Sequence, residues 1–116
     1  MGSPASPPAL APIDRRARQK LARGRNVIDA RIDLHGMTQA RAHAELRRFL
    51  LSAQAHDARY VLVVTGKGRG AERGILRRQV PLWLGLPEFR GLVVGFDIAH
   101  IAHGGEGALY VQMRRR

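Results

Sequence analysis

Asp33 and His35, which stand two positions apart in the stretch IDLHG at 32–36, are the side chains best suited to acid–base chemistry. Histidine gains and loses a proton near neutral pH, and a carboxylate beside it can orient the ring or stabilise its charged form. Alternate side chains of a strand share a face, so Ile32 and Leu34 would enter a core while the Asp/His pair points to the other side. The pattern predicts a polar pair at the end of a buried strand.

The residues after this pair indicate how it is held in place. Gly36 permits a sharp turn, and Thr38 is a good N-cap for a helix that we expect to reach about His56. Open α/β sheets carry their sites at the carboxyl ends of their strands. The pair would therefore stand where such sheets bind ligands. An aspartate at a strand end is also compatible with a simple cap or an ion pair to arginine, without catalysis.

Two glycine-rich loops follow later strands of the sequence. TGKGRG occupies 65–70, and HGGEG occupies 103–107. Glycine lets phosphate oxygens approach backbone amides, and Lys67 and Arg69 add full positive charges. Neither loop has the spacing and the Ser/Thr of a P-loop, and each loop alone is equally well explained as a plain turn.

The charge of the chain favours a polyanion as its partner. The formal net charge is +11, and residues 1–31 hold seven Lys/Arg against two Asp, a denser charge than in the remainder. A field of this sign attracts nucleic acid, whereas general solubility is the alternative explanation. The residues that we expect to contact nucleic acid are Gly36, Thr65, Gly66, Lys67, Gly68, Arg69, His103, Gly104, Gly105 and Gly107, with Arg15, Arg16, Arg18 and Lys20 of the N-terminal segment.

Composition also limits the cellular setting. Cysteine is absent, which excludes disulfides and thiolate zinc sites. No apolar run approaches the roughly 20 residues of a membrane span, and no secretory signal is visible. We therefore expect a cytoplasmic monomer with no membrane partner.

Hydrophobic periodicity predicts a βαβαββ order. Strands are expected at about 30–35, 60–65, 91–97 and 108–113, with helices at about 38–56 and 74–84. Each βαβ unit should form a right-handed crossover between parallel strands, and the last two strands should pair antiparallel. The predicted fold class is α/β, a two-layer sandwich with a mixed four-stranded sheet.

The first 29 residues are expected to lie outside this domain, which would span 30–116. Residues 1–12 are rich in Pro and Ala and carry no charge, which predicts disorder. Residues 14–25 could form a short basic helix, but few apolar residues are available to dock it. We expect a mobile basic arm that orders on a partner.

Three motifs together resemble a known family. IDLHG at 32–36, TGKG at 65–68 and GGEGALYV at 104–111 follow one another, on this order of strands and helices, as in the Smr (small MutS-related) domain. The resemblance covers about 30–116 and extends to the small stand-alone Smr proteins of bacteria. One common variant is visible, because many members have histidine at the position of Thr65.

The resemblance implies a fold similar to the C-terminal domain of bacterial translation initiation factor three. It also implies nucleic-acid binding, with endonuclease activity in several members. Those members require the Asp and His of their DLH motif, which here are Asp33 and His35. Bacterial stand-alone relatives include an endonuclease that cuts messenger RNA at collided ribosomes, and other members nick DNA. The implied partner is nucleic acid, RNA before DNA, with the ribosome as a further candidate.

Three functions remain open on the sequence alone. The leading hypothesis is an endonuclease that cuts RNA by transesterification or hydrolysis, in which His35 takes a 2′-hydroxyl proton and His103 protonates the leaving oxygen. Lys67 and Arg69 would stabilise the charge that develops. The alternatives are a non-catalytic module that binds nucleic acid or the ribosome, and a DNA-nicking endonuclease. The RNA reaction requires no cofactor, whereas the DNA reaction would use an activated water and a divalent cation on Asp33; no all-protein metal site is predicted.

Overall fold

A computed structural model describes residues 9–67 and 74–116 of the chain. The helices are α1 (Arg15–Ala22), α2 (Gln39–Ala55), α3 (Ile75–Leu84) and α4 (Pro87–Arg90), and the strands are β1 (Ala30–Asp33), β2 (Tyr60–Val64), β3 (Val93–Ile98) and β4 (Ala108–Met113). Two short 3₁₀ turns, Ile101–His103 and Gly105–Gly107, lie between β3 and β4. From β1 onward the order is the predicted βαβαββ, with α4 as an additional helical turn.

The strands form one mixed sheet in the order β1-β2-β4-β3. β1 and β2 are parallel, whereas β4 is antiparallel to both β2 and β3. β2 and β3 therefore run in the same direction, as expected for the second crossover. The carboxyl ends of β1, β2 and β3 meet at one edge, which we call the loop edge. The segments that begin at Leu34, Thr65 and Ala99 all start there.

α2 and α3 pack on one face of the sheet. α2 begins after Thr38, whose hydroxyl accepts a hydrogen bond from the Arg41 N–H at 3.2 Å, as the N-cap pattern predicts. Apolar side chains at helical spacing enter the core and meet the inward side chains of the sheet. This core includes Ala42, Leu46, Leu50, Val61, Val63, Val80, Trp83, Leu84 and Val111. The predicted two-layer α/β sandwich is confirmed.

α1 covers the opposite face of the sheet, and this corrects the expectation of a mobile arm. Ile13 is 4% exposed and Leu21 is fully buried. They pack with Tyr60, Leu62 and Tyr110, which point outward from β2 and β4. The segment has few apolar residues, but these two cover an apolar patch of the sheet that would otherwise face water.

Arg18 fixes α1 on the sheet through polar contacts. Its guanidinium donates to the Ile98 carbonyl at 2.8 and 3.1 Å and lies 3.7 Å from the Asp97 carboxylate. Both partners belong to the end of β3. A residue that the sequence predicts as a nucleic-acid contact is therefore already bound within the protein.

The chain before α1 lies along β3. The Ala11 N–H donates to the Val94 carbonyl at 3.1 Å. A Cβ on Gly95 would lie 1.6 Å from the Ala11 carbonyl oxygen, so only glycine fits where the two segments cross. The expected disorder of residues 1–12 is therefore corrected from Ala11 onward, whereas residues 1–8 lie outside the described residues.

Candidate active site

Asp33 and His35 form a directly bonded pair at the loop edge. His35 Nδ1 lies 2.7 Å from Asp33 Oδ1, and the backbone N–H of His35 donates to the same oxygen at 3.0 Å. An ionised carboxylate only accepts, so Nδ1 carries the proton of the neutral ring and Nε2 presents a lone pair. The His35 side chain is 71% exposed. The pair is thus arranged as an oriented base that a ligand can reach.

The surroundings of Asp33 keep its carboxyl ionised. Partial burial raises the pKa of this carboxyl. Hydrogen bonds from the side chain and backbone of His35 lower the pKa, and so do the charges of His35 and Arg31. These lowering effects together exceed the effect of burial. The pKa of Asp33 therefore lies below its ordinary value. A carboxylate is present at neutral pH to hold the imidazole and to stabilise its protonated form.

The backbone around the pair is fixed by the sheet and by a tight turn. Leu34, between the two polar residues, is fully buried, and its N–H donates to the Val64 carbonyl at 2.8 Å. Exposed Gly36 has a φ of 79°, and the N–H of Met37 returns to the Leu34 carbonyl at 3.1 Å. The predicted alternation of buried and outward side chains is confirmed.

Counting the turn at Gly36 as the first, we call the loop at 65–70 the second glycine loop and the loop at 103–107 the third. The second glycine loop contacts the pair directly. Gly66 has a φ of 74°, and a Cβ at this position would lie 3.0 Å from the Cβ of His35. Lys67 follows with an exposed side chain. Gly68 and Arg69, which the sequence also predicts as contacts, lie outside the described residues. The loop therefore begins beside the Cβ of His35.

The third glycine loop packs against the second. The Gly107 carbonyl accepts hydrogen bonds from the N–H groups of Thr65 and Gly66 at 2.8 and 3.0 Å. A Cβ on Gly107 would lie 3.2 Å from the carbonyl carbon of Gly66 and 3.4 Å from Lys67 Cγ. Thr65 is 5% exposed, and its hydroxyl is 3.1 and 3.3 Å from the carbonyl oxygens of Gly66 and Gly107. The Thr65 side chain and the buried Gly107 therefore brace the two loops against each other instead of facing a ligand.

His103 is held by Tyr110, a buried residue of the GGEGALYV motif that the sequence does not predict as a site residue. The Tyr110 hydroxyl accepts from the His100 N–H at 3.1 Å and hydrogen bonds to His103 Nδ1. The hydroxyl has one hydrogen and a second lone pair, so this bond fits a neutral ring that accepts at Nδ1 and a protonated ring that donates from it. Among the described residues, no hydrogen bond joins His103 to Asp33 or His35.

Arg77 is a second residue at this edge that sequence motifs do not identify. Its guanidinium is 3.3 Å from the Glu106 carboxylate and ties the first turns of α3 to the third loop. Gly104 and Gly105 shape that loop with φ values of 117° and 54°. In the sequence nothing distinguishes Arg77 from its many arginine neighbours, because its partner is distant along the chain.

The basic residues of α1 lie on the same face of the sheet as the Asp/His pair. Asp33 points to this face because the residues on either side of it enter the core beneath α2 and α3. Arg15, Arg16 and Lys20 are exposed on α1, whereas Arg18 is used to dock the helix. The predicted catalytic residues and three of the predicted basic contacts thus share one face.

Within 9–67 and 74–116, no three His, Asp or Glu side chains cluster so that they could hold a metal ion. None of the helices in these ranges is both long enough and apolar enough to cross a membrane.

A bonded Asp/His pair at the loop edge of a mixed βαβαββ sheet, with two glycine loops packed beside it, defines a Smr domain. The Smr domain family model matches residues 32–114, and the chain belongs to that family. The resemblance that the three motifs indicate is thereby confirmed.

Curated relatives of the chain carry the name ribosome rescue factor SmrB. The protein from Tolumonas auensis is 34% identical over 94 residues, and the protein from Photobacterium profundum is 37% identical over 94 residues. Each match covers 80% of this chain and 49% of the relative. The chain thus spans about half the length of the curated relatives it matches.

Solved structures of Smr proteins have the same fold. The Smr domain of Thermus thermophilus MutS2 matches with a TM-score of 0.64 and 29% identity, over 73% of this chain and 98% of that one. YdaL, a stand-alone small MutS-related protein from Escherichia coli, matches with a TM-score of 0.70 and 27% identity, over 87% of this chain and 77% of that one. These similarities confirm the predicted fold class.

Proposed function

We propose that this Smr domain protein is an endonuclease that cuts RNA, with Asp33 and His35 as its catalytic residues. The observation that carries the proposal is the 2.7 Å bond between His35 Nδ1 and Asp33 Oδ1, which leaves Nε2 as an accessible base. The name ribosome rescue factor, carried by relatives at 34% and 37% identity, supports RNA at the ribosome as the substrate. A cytoplasmic location follows from that substrate.

Proton transfer to His35 begins the proposed reaction. Nε2 takes the proton of a 2′-hydroxyl, and the 2′ oxygen attacks the adjacent phosphorus. The bond from phosphorus to the 5′ oxygen of the next nucleotide breaks, which leaves a 2′,3′-cyclic phosphate and a 5′ oxygen that takes up a proton. Asp33 stabilises the imidazolium formed in the first step. This reaction requires no metal ion.

Lys67 is the proposed source of charge stabilisation. Negative charge grows on the phosphate oxygens as the 2′ oxygen attacks, and a fixed cation nearby lowers the energy of that transition state. Lys67 directly follows Gly66, which adjoins His35, and its Cγ lies against Gly107. The packing of the two glycine loops supports this placement of the ammonium group near the pair.

His103 is the proposed proton donor to the leaving oxygen. In the protonated ring Nδ1 donates to the Tyr110 hydroxyl, and Nε2, on the other side of the ring, carries the proton that passes to the leaving oxygen. Ala108, at the end of this loop, is in register with Val64, and Val64 is in register with Asp33. Two strand spacings, roughly 10 Å in all, separate these backbones. Within the described residues no hydrogen bond joins His103 to the pair, so the acid role requires that bound RNA place its leaving oxygen within reach of His103 Nε2.

Cleavage assays with matched RNA and DNA oligonucleotides test the proposal. The wild-type protein should cut RNA, and an Asp33→Ala/His35→Ala double variant should cut it at least about 100-fold more slowly. A chelator should leave the RNA reaction unchanged. His56→Ala is the matched control, because this exposed histidine bonds to the Ser52 carbonyl at the far end of α2. The control should cut RNA as the wild type does.

The other outcomes separate the remaining functions. Tight RNA binding without cleavage by the wild-type protein would indicate a binding module. Cleavage of DNA that a chelator abolishes would indicate a metal-dependent nicking enzyme. Equal RNA cleavage by the wild type and the double variant would refute the catalytic roles of Asp33 and His35.

A further inference from the structure

A recess on the surface of α1 gathers positive charges. Its volume is about 150 Å³, and its lining consists of Arg16, Gln19, Lys20, Arg23 and Arg25. The first four follow the three- and four-residue spacing of one helix face, and the fifth joins them from the turn after the helix. We call this group the α1 recess.

Backbone hydrogen bonds hold the α1 recess in shape. After the helix the chain turns at Gly24, which has a φ of 74°. The Lys20 carbonyl then accepts from the N–H groups of Arg25 and Asn26 at 2.7 and 3.1 Å. These bonds bring Arg25 back beside Lys20. Leu21 is buried against the sheet, so the recess belongs to a helix that is fixed in position.

The cations of the α1 recess are not matched by carboxylates. In the part of the chain that the structure describes, no ion pair or side-chain hydrogen bond is found for Arg16, Lys20, Arg23 or Arg25. Like charges gathered in one recess repel each other, and a bound anion offsets that repulsion. Arginine forks pair with phosphate oxygens, and an amide adds a neutral donor. The recess therefore has the size and chemistry to bind a phosphate group.

The α1 recess lies on the face of the sheet that carries the Asp/His pair. α1 leads into β1, which starts at Ala30 and carries Asp33 at its end. Residues 26–29 lie between the recess and the start of this strand. One nucleic-acid strand that crosses this face could therefore place one phosphate in the recess and another at the pair.

We propose that the α1 recess is a second phosphate-binding site, which holds the backbone of the RNA strand that reaches Asp33 and His35. The connection to cleavage rests on the proposed function, whereas the recess itself rests on its charges and shape. Backbone contacts depend on salt and carry no sequence information. The recess therefore adds affinity without sequence preference and favours RNA long enough to span both sites.

Binding of labelled single-stranded RNA longer than about 16 nucleotides, measured over a range of salt concentrations, tests the recess. Arg16→Gln/Arg23→Gln should weaken binding and should reduce the salt slope by about 0.7 for each phosphate that the variant no longer binds. Arg41→Gln/Arg47→Gln is the matched control, because it removes the same charge from exposed positions of α2 on the other face. A dinucleotide with a single phosphate cannot occupy both sites at once, so the advantage of long RNA over the dinucleotide should shrink only in the recess variant.

Two results would overturn the α1 recess as a binding site. Equal losses of affinity in the two double variants would show general charge attraction alone. A lower thermal midpoint in Arg16→Gln/Arg23→Gln would show that these arginines support the fold instead. Because the readout is binding, it is independent of catalysis: wild-type protein that binds RNA without cutting it would refute the endonuclease but not the recess.

Discussion

The two faces of the sheet differ in how thickly they are covered. Among the residues that the structure describes, seventeen buried side chains form the cluster beneath α2 and α3, whereas seven form the cluster beneath α1. The first face is sealed by two helices. The second is covered by one eight-residue helix, which leaves Asp33 and His35 at 40% and 71% side-chain exposure.

One face of the sheet therefore contributes most of the stability, whereas the other face carries the Asp/His pair. The larger cluster removes most of the apolar surface from water and therefore supplies most of the hydrophobic stabilisation. The thinner cover leaves the Asp/His pair exposed, and its helix presents the positive charges of the α1 recess on the same face. Substitutions on the two faces should accordingly affect different properties.

Leu46→Ala tests the first face and should have the largest effect on stability. Leu46 is fully buried in α2, so removing its side chain leaves a cavity and should lower the free energy of unfolding by about 2–5 kcal/mol. Chemical denaturation measures this change. Leu82→Ala, at a position of α3 that is 65% exposed, is the control and should change stability by less than about 0.5 kcal/mol. Equal losses in the two variants would contradict this picture of the core.

Leu21→Ala tests whether the second face is covered. Leu21 is fully buried beneath α1, but a single short helix can relax around the cavity, so a loss of about 2 kcal/mol is expected. Hydrogen exchange of the α1 amides should accelerate while exchange in α2 stays slow. If neither stability nor hydrogen exchange changes, the result would support the mobile arm that the sequence predicts.

Arg18→Gln should have a smaller effect, about 1 kcal/mol, because the hydrogen bonds to the Ile98 carbonyl are partly exposed to water. The control is Arg41→Gln, which removes an exposed charge from α2. Comparing the thermal midpoints of the two variants distinguishes the loss of the α1 contacts from the loss of one positive charge. If the two variants unfold at the same temperature, Arg18 does not hold α1 on the sheet and is free to contact nucleic acid.

Asp33→Asn should have the smallest effect on stability, visible in its pH dependence. The folded protein lowers the pKa of this carboxyl, so the carboxylate stabilises the fold above its ordinary pKa, and that contribution is lost as pH falls through the lowered value. The stability difference between wild type and variant should therefore shrink as pH falls below the ordinary pKa of 3.8, and it should stay below about 1 kcal/mol because water screens the pair. A difference that grows toward acid would contradict the lowered pKa.

Local pattern was sufficient to predict the first face and the Asp/His pair. The N-cap at Thr38 and the helical spacing of α2 can be recognised from neighbouring residues of the sequence, and the structure has the helix at Gln39–Ala55. The alternation around Asp33 and His35 is equally local. Gly36 marks the turn after them, so the position of the pair follows from a few neighbouring residues.

The second face depends on contacts between distant segments and could not be predicted in this way. α1 docks because Tyr60 and Tyr110 point outward from strands far along the chain, and nothing within residues 14–25 reveals that. The bond between Tyr110 and His103 depends on the register of β4 and on the path of the preceding loop. These features depend on tertiary packing, whereas hydrophobic periodicity predicts the type of one helix or strand at a time.

End-group analysis of a cleaved oligonucleotide tests the central claim most directly. In a 2′-deoxy strand with a single ribonucleotide, attack by the 2′-hydroxyl predicts one cut, with 2′,3′-cyclic phosphate and 5′-hydroxyl ends. His35→Ala should make this cut about 100-fold more slowly, and His56→Ala should match the wild type. Cuts that leave 3′-hydroxyl and 5′-phosphate ends, or undiminished cutting by His35→Ala, would contradict a reaction driven by the Asp33/His35 pair.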